Sequence, residues 1–171
     1  MKISPLMALA VMTSGATASD WDITPLVLEG DIVTGGNTVT AINNMAINNS
    51  LDWRVEVNTT DGSNSKTMLL SPLGTVAEAG QVLTAPVGAT LRSFDAVTLD
   101  SNSNWAGNLF LDNTTGSSDD SGVYYNLNLL MQEGDFSTAP GLTVGTPFRG
   151  FFETKLADNG DILLLASVDD S

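Results

Sequence analysis

Hydrophobic positions along the chain recur mostly with period two. Trp53, Val55 and Val57 alternate with Arg54 and Glu56, a spacing that sends successive side chains to opposite faces of a strand. It predicts a strand whose Trp53, Val55 and Val57 face a core and whose Arg54 and Glu56 face water. Residues 94–99 (FDAVTL) read as a further strand, and Val123 to Met131 alternates again, with Val123, Tyr125, Leu127 and Leu129 on one side. Ile162 to Ala166 is a continuous apolar run, which predicts a strand covered on both faces. Gly35–Asn37, Asp61–Asn64, Asn113–Gly122 and Asn159–Gly160 lie between these runs. They are residues that tolerate left-handed backbone or bond to their own backbone, so they predict turns and loops. No window of eleven residues carries a helical stripe, and Ala77 to Gly80 would form one helical turn at most.

The strands belong to a degenerate repeat. Leu28-Glu29-Gly30-Asp31 returns as Gln132-Glu133-Gly134-Asp135, 104 residues later, and an eroded middle copy reads Glu78-Ala79-Gly80-Gln81. A second motif, Ile47-Asn48-Asn49-Ser50-Leu51-Asp52-Trp53, aligns without gaps to Leu99 through Trp105 at an offset of 52 and to Leu156 through Ile162 after another 57. The expected local structure is an apolar strand end, a tight turn whose Asn and Asp satisfy free amides, and a new strand starting at Trp or Ile. Periods in this range suit propeller blades and solenoid units. The fold class expected is therefore all-β, with repeats of about 52–57 residues in a β-propeller-like, partial-propeller or sandwich arrangement of antiparallel strands. Approximate units are 25–75, 76–127 and 128–171. A closed propeller typically takes 4–8 blades, so three units would leave open edges that favour pairing with another chain.

The motifs resemble those of bacterial secreted choice-of-anchor proteins with tandem NxxGxxAF repeats. Leu28 to Asp31 and Met131 to Asp135 carry the first motif. In the second, Asn48, Leu51, Arg54 and Val55 stand at the motif asparagine, glycine, alanine and phenylalanine. Asp100, Ser103, Ala106 and Gly107 hold those places in the middle copy, and Ala157, Gly160, Leu163 and Leu164 in the last. The resemblance covers about Pro25 to Val168 and implies a β-propeller-like surface or secreted protein with no established catalytic activity. Such proteins often carry a C-terminal sorting signal, whereas the last residues here, Val168-Asp169-Asp170-Ser171, are not hydrophobic.

The first residues predict export. Lys2 precedes the apolar run Pro5 to Met12 and a small-residue stretch ending Ala16-Thr17-Ala18, the order of a secretory signal peptide over residues 1–18. Residues 19–171 would form the single mature domain, secreted, extracellular or periplasmic. The apolar run is shorter than the roughly 20 residues a spanning helix needs, and no integral membrane segment is expected.

Charge and composition then narrow the chemistry. The chain has 171 residues, 20 Asp+Glu against 6 Lys+Arg and a net charge of -14. A field of that sign repels phosphate backbones, so nucleic acid is not an expected partner. There is no Cys and no His, which excludes Ser-His-Asp and Cys-His catalysis and the commonest transition-metal ligands. Calcium is the one cation the pattern could suit: Asp100, Asn102 and Asn104 place oxygens at alternate positions, with Asp112 further on. Trp105 and Leu111 stand where a calcium loop would carry its glycine and its glutamate, and a structural turn explains the same residues. Asp119-Asp120 is a lesser cation candidate. Glu29, Gly30, Asp31, Glu133, Gly134 and Asp135 are expected to form structural turns between units, with glycine at positive φ and the carboxylates holding backbone amides. No cofactor is expected. Trp53 and Trp105 recur at one repeat position, which favours core packing over a sugar platform.

These features predict a non-enzymatic structural or adhesive module whose partner is an extracellular polymer, a protein or another copy of itself. The rival expectation is a carbohydrate-binding or carbohydrate-active protein using surface carboxylates and Trp21, Trp53 and Trp105.

Overall fold

A turn of one kind recurs three times and divides the chain into units. A computed structural model describes residues 24–116 and 118–170; the expected signal segment and Trp21 lie outside the described residues. In the first turn the amide of Asp31 donates to the carbonyl of Leu28 at 3.1 Å, and Gly30 between them has φ +95°. Gln81 to Glu78 and Asp135 to Gln132 close the other two turns at 3.1 Å each, around Gly80 and Gly134 at φ +87°. Left-handed backbone at the third position of such a turn is why glycine stands there. From each turn the chain enters a loop and then an antiparallel meander.

The first meander contains β1 (Thr38–Ile47), β2 (Trp53–Thr60), β3 (Ser65–Ser71) and β4 (Gly74–Glu78), hydrogen-bonded in that order. The second contains β5 (Thr90–Leu99), β6 (Trp105–Asp112), β7 (Ser121–Tyr125) and β8 (Asn128–Gln132), again in chain order. The third consists of β9 (Phe148–Leu156) paired with β10 (Ile162–Val168). The protein is thus an all-β domain of three antiparallel sheets, repeat-like, in a sandwich or partial-propeller arrangement. The first strands of successive units lie beside one another, β1 against β5 and β5 against β9.

Burial explains the order. Val39, Val55, Val57, Met68 and Leu70 cluster on one face of the first sheet with Val27, while Leu69 and Ala77 on its other face join Leu91, Phe94, Val97, Trp105, Leu109 and Leu111 of the second unit. Three consecutive buried residues, Met68 to Leu70, mark a strand covered on both sides. Each of the first two units therefore turns one face to the unit that follows.

Several expectations need correction. Glu56 does not face water; it is 6% exposed, because that face of β2 packs against the second unit. The run Val123 to Met131 is two strands, split at Asn126 and Leu127, whose φ values of +47° and +66° make a hairpin turn. Ala77 to Gly80 is no helical turn but the end of β4 and the turn beyond it. The boundary expected at 127/128 falls inside that hairpin, and the sheets change instead after Glu78 and Gln132. β10 is not covered on both faces, since Leu163 and Leu165 are 75% and 59% exposed.

Candidate functional site

The residues singled out by the repeats gather in two rows, the turns between units and the turns inside them. In the first row Asp31 Oδ2 accepts the amide of Leu28 at 2.8 Å and Asp135 Oδ2 that of Gln132 at 2.7 Å. Gln81 Oε1 takes the same role for Glu78 at 3.3 Å. Gly30, Gly80 and Gly134 each donate to the first strand of the following unit, at Val39, Leu91 and Phe148, and those residues donate back to residues 31, 81 and 135. The turn is a clasp that fixes where each new unit starts. Glu133 leans away from its clasp to accept from Ser121 at 3.1 Å; burial raises its pKa, and the Ser121 bond only partly offsets that.

The second row is built on Asn48 and Asp100. Asn48 Oδ1 accepts the amides of Ser50 and Asp52, and Asp100 Oδ1 those of Asn102 and Asn104, all between 2.8 and 3.0 Å. Leu51, Ser103 and Gly160 share one left-handed position at φ +63°, +68° and +87°, the place of the motif glycine. The last copy has Ala157 where the cap would be and uses Asn159 to hold Asp161 instead. The three turns stack: Asn48 Nδ2 donates to the carbonyl of Asp100 at 2.8 Å, and the amide of Ser101 to Asp158 Oδ1 at 2.8 Å.

This arrangement does not assemble the four calcium candidates. Asp100 is buried and spends its second oxygen on Asn104 Nδ2 at 2.8 Å; Asn104 Oδ1 in turn accepts from Asn126 at 2.9 Å. Asp112 stands at the other end of β6, about 23 Å away at the rise of an extended strand, and pairs with Arg92 at 3.7 Å. Asp119 accepts from Thr115 and Gly116, and Asp120 pairs with Arg92 at 3.3 Å. Among the described residues no three Asp or Glu side chains converge as a metal site.

Sequence reasoning missed a polar seam between units. Asn44 donates to the carbonyl of Asp95 at 2.9 Å and Arg54 to the carbonyl of Ser103 at 2.9 Å across the units, while Asn43, within the first unit, donates to Glu56 at 3.4 Å and to Asn58 at 3.1 Å. One unit on, Asn108 reaches Asp95 at 3.4 Å and the carbonyl of Phe151 at 3.0 Å. Burial pushes the Glu56 carboxyl up to about 7; the Asn43 bond opposes this and the nearby Asp95 adds to it. Burial likewise lowers the Arg54 pKa, with Asp52 opposing. The available signal was the repeat itself: Glu56 and Asn108 occupy the same place in successive units.

Trp105 is 3% exposed inside the core, whereas Trp53 is only half-buried and lines a shallow groove with Leu26, Asp31, Val33 and Leu70. The equivalence in strand position holds, but Trp105 packs with Leu69 and Ala77 of the sheet before it, a cover with no counterpart over Trp53 among the described residues. No family model, curated protein or solved structure matches this chain.

Proposed function

We propose that the chain is a non-enzymatic structural or adhesive β-repeat module of an exported protein. The observation that carries this reading is how the recurring polar residues are spent. Asp31, Asp135, Asn48 and Asp100 each hold backbone amides within a turn, and Asn48 also ties its turn to the next. Groups committed to rigid architecture leave few convergent donors for a substrate, and repeated stacking units present extended surfaces suited to polymers or proteins. The signal-like residues 1–18 and the resemblance to secreted choice-of-anchor repeat proteins support the same reading. Intact mass of the exported product should begin at Ser19; a retained Met1 would remove the export part.

One observation favours a carbohydrate-active alternative, the raised pKa of Glu56 beside Asp95, since shifted carboxylates also mark catalytic sites. A glycan array and a polysaccharide hydrolysis panel separate the two. Binding without turnover supports the adhesive module. Turnover abolished by Glu56→Gln in a folded protein would establish the enzyme.

A further inference from the structure

The last of the three stacked turns differs from the other two at one peptide bond. Asn159 is the one asparagine in the chain followed by glycine. Both residues are exposed at the tip of the β9–β10 hairpin, where local opening costs least. In the earlier copies Leu51 and Ser103 stand at the place of Gly160, and Asn48 and Asp100 cap their turns. Ala157 cannot cap, and a Cβ built on Gly160 would meet nothing within 4 Å. A neighbouring unit does not cover this place: Asn102, at the position of Asn159 in the second unit, is exposed although Asp158 of the third bonds to Ser101 beside it.

The Asn159 side chain is already folded back over the Gly160 peptide. Its Oδ1 accepts the amide of Asp161 at 3.1 Å, and its Nδ2 donates to Asp161 Oδ2 at 2.7 Å. A carbonyl oxygen that accepts an N–H is prepared for the negative charge it gains when its carbon is attacked. The nitrogen next along the chain is that of Gly160, whose bond to the carbonyl of Ala157 at 2.9 Å has to open first. Asn48 also accepts from the amide two residues on, but Asn49 follows it and the carbonyl of Asp100 holds its Nδ2. Only in the third copy does the folded side chain meet a residue without one.

We propose that Asn159 is a self-modification site, deamidating through a cyclic imide formed with Gly160. The Gly160 nitrogen gives its proton to hydroxide and forms a bond to Asn159 Cγ. The Cγ–Nδ2 bond then breaks, Nδ2 takes a proton from water, and ammonia leaves. Water opens the imide at either carbonyl, leaving aspartate or isoaspartate, and no oxidant or cofactor enters. Both products lose the donor to Asp161 Oδ2 and set a second carboxylate beside it. Isoaspartate also lengthens the backbone of the turn by a carbon. The preceding residue, Asp158, ties the third unit to the second by accepting the amide of Ser101 at 2.8 Å. A turn rebuilt at its neighbour displaces that carboxylate, so the modification loosens the tie between the two units.

Peptide mapping by mass spectrometry tests the proposal on the full chain, incubated for days at neutral and mildly alkaline pH. Conversion of amide to acid should concentrate at Asn159, run about tenfold or more faster there than at Asn102, and quicken with pH. Gly160→Ser installs the residue that the second unit carries as Ser103, a side chain that position accepts, and should slow conversion by a similar factor. Hydrogen exchange supplies the structural readout: the Ser101 amide should lose protection in the converted fraction and keep it in the unconverted one. An Asn159 that remains an amide throughout would overturn the proposal. So would equal conversion at Asn102, a rate indifferent to Gly160→Ser, or a Ser101 amide equally protected in both fractions.

Discussion

Asn48 and Asp100 occupy the same place in successive units, and they touch: the side-chain amide of the first donates to the backbone carbonyl of the second at 2.8 Å. Each also caps its own turn. The Asn48 side chain therefore does two jobs, shaping its own turn and tying it to the next unit. The third unit receives the same kind of bond from the other direction, through Asp158 and the amide of Ser101.

Asp100→Ala should be the costliest change in these turns. It removes three bonds to a buried carboxylate and strands the amides of Asn102 and Asn104, a loss of about 2–3 kcal/mol. Asp100→Asn keeps one acceptor oxygen and should lose less. Denaturant melts with calcium and with chelator check both points; a wild-type midpoint raised by calcium, and lost in Asp100→Ala, would reinstate a metal site.

Asp31→Ala and Asp135→Ala should each cost about 0.5–1.5 kcal/mol, the value of a hydrogen bond near water. Both bonds are exposed. The Gln81 copy makes the same clasp with a neutral side chain, so Asp31→Gln should recover part of the loss. Equal midpoints for Asp31→Ala and wild type would show that the glycine alone holds the turn.

Glu56 makes stability depend on pH. Its carboxyl titrates near 7 when folded, against an ordinary value of 4.5. Between those values the folded protein binds more protons than the unfolded chain, so stability falls as pH rises through that window. Glu133 is shifted in the same direction and adds to the slope. Thermal melts from pH 4.5 to 8 should show the decline, and Glu56→Gln should flatten it and raise the midpoint at pH 8. A slope unchanged in that variant would place the dependence elsewhere.

Trp105→Ala should destabilise by about 3–5 kcal/mol through lost burial and a cavity. Trp53→Ala should cost clearly less, because Trp53 is only partly buried at its groove. If the Trp53 variant melts like wild type but loses binding on a glycan array, the groove is a sugar site.

The repeat was legible because its key residues act locally. A glycine at positive φ, an Asx cap two residues from its amide and a β-branched or aromatic strand start each leave a trace in the sequence whatever surrounds them. The hairpin at Asn126 and Leu127 left no such trace: no glycine marks it, and alternation ran through it unbroken. Its turn is held from a distance, by the amide of Trp105 donating to Asn126 Oδ1 at 2.9 Å.

The sequence by itself determined the all-β class, the three-fold recurrence, the turns at Gly30 and Gly134, and the shared strand starts at Trp53, Trp105 and Ile162. These follow from backbone preference and from side chains reaching amides a few residues away. Only the tertiary structure decided which strand faces are buried. Period two says that Arg54 and Glu56 lie opposite Val55; it cannot say that another sheet arrives on their side. The stacking of the units sends Glu56 inside with a raised pKa and leaves Leu163 and Leu165 outside, because burial depends on what packs against a face and not on the residues that compose it.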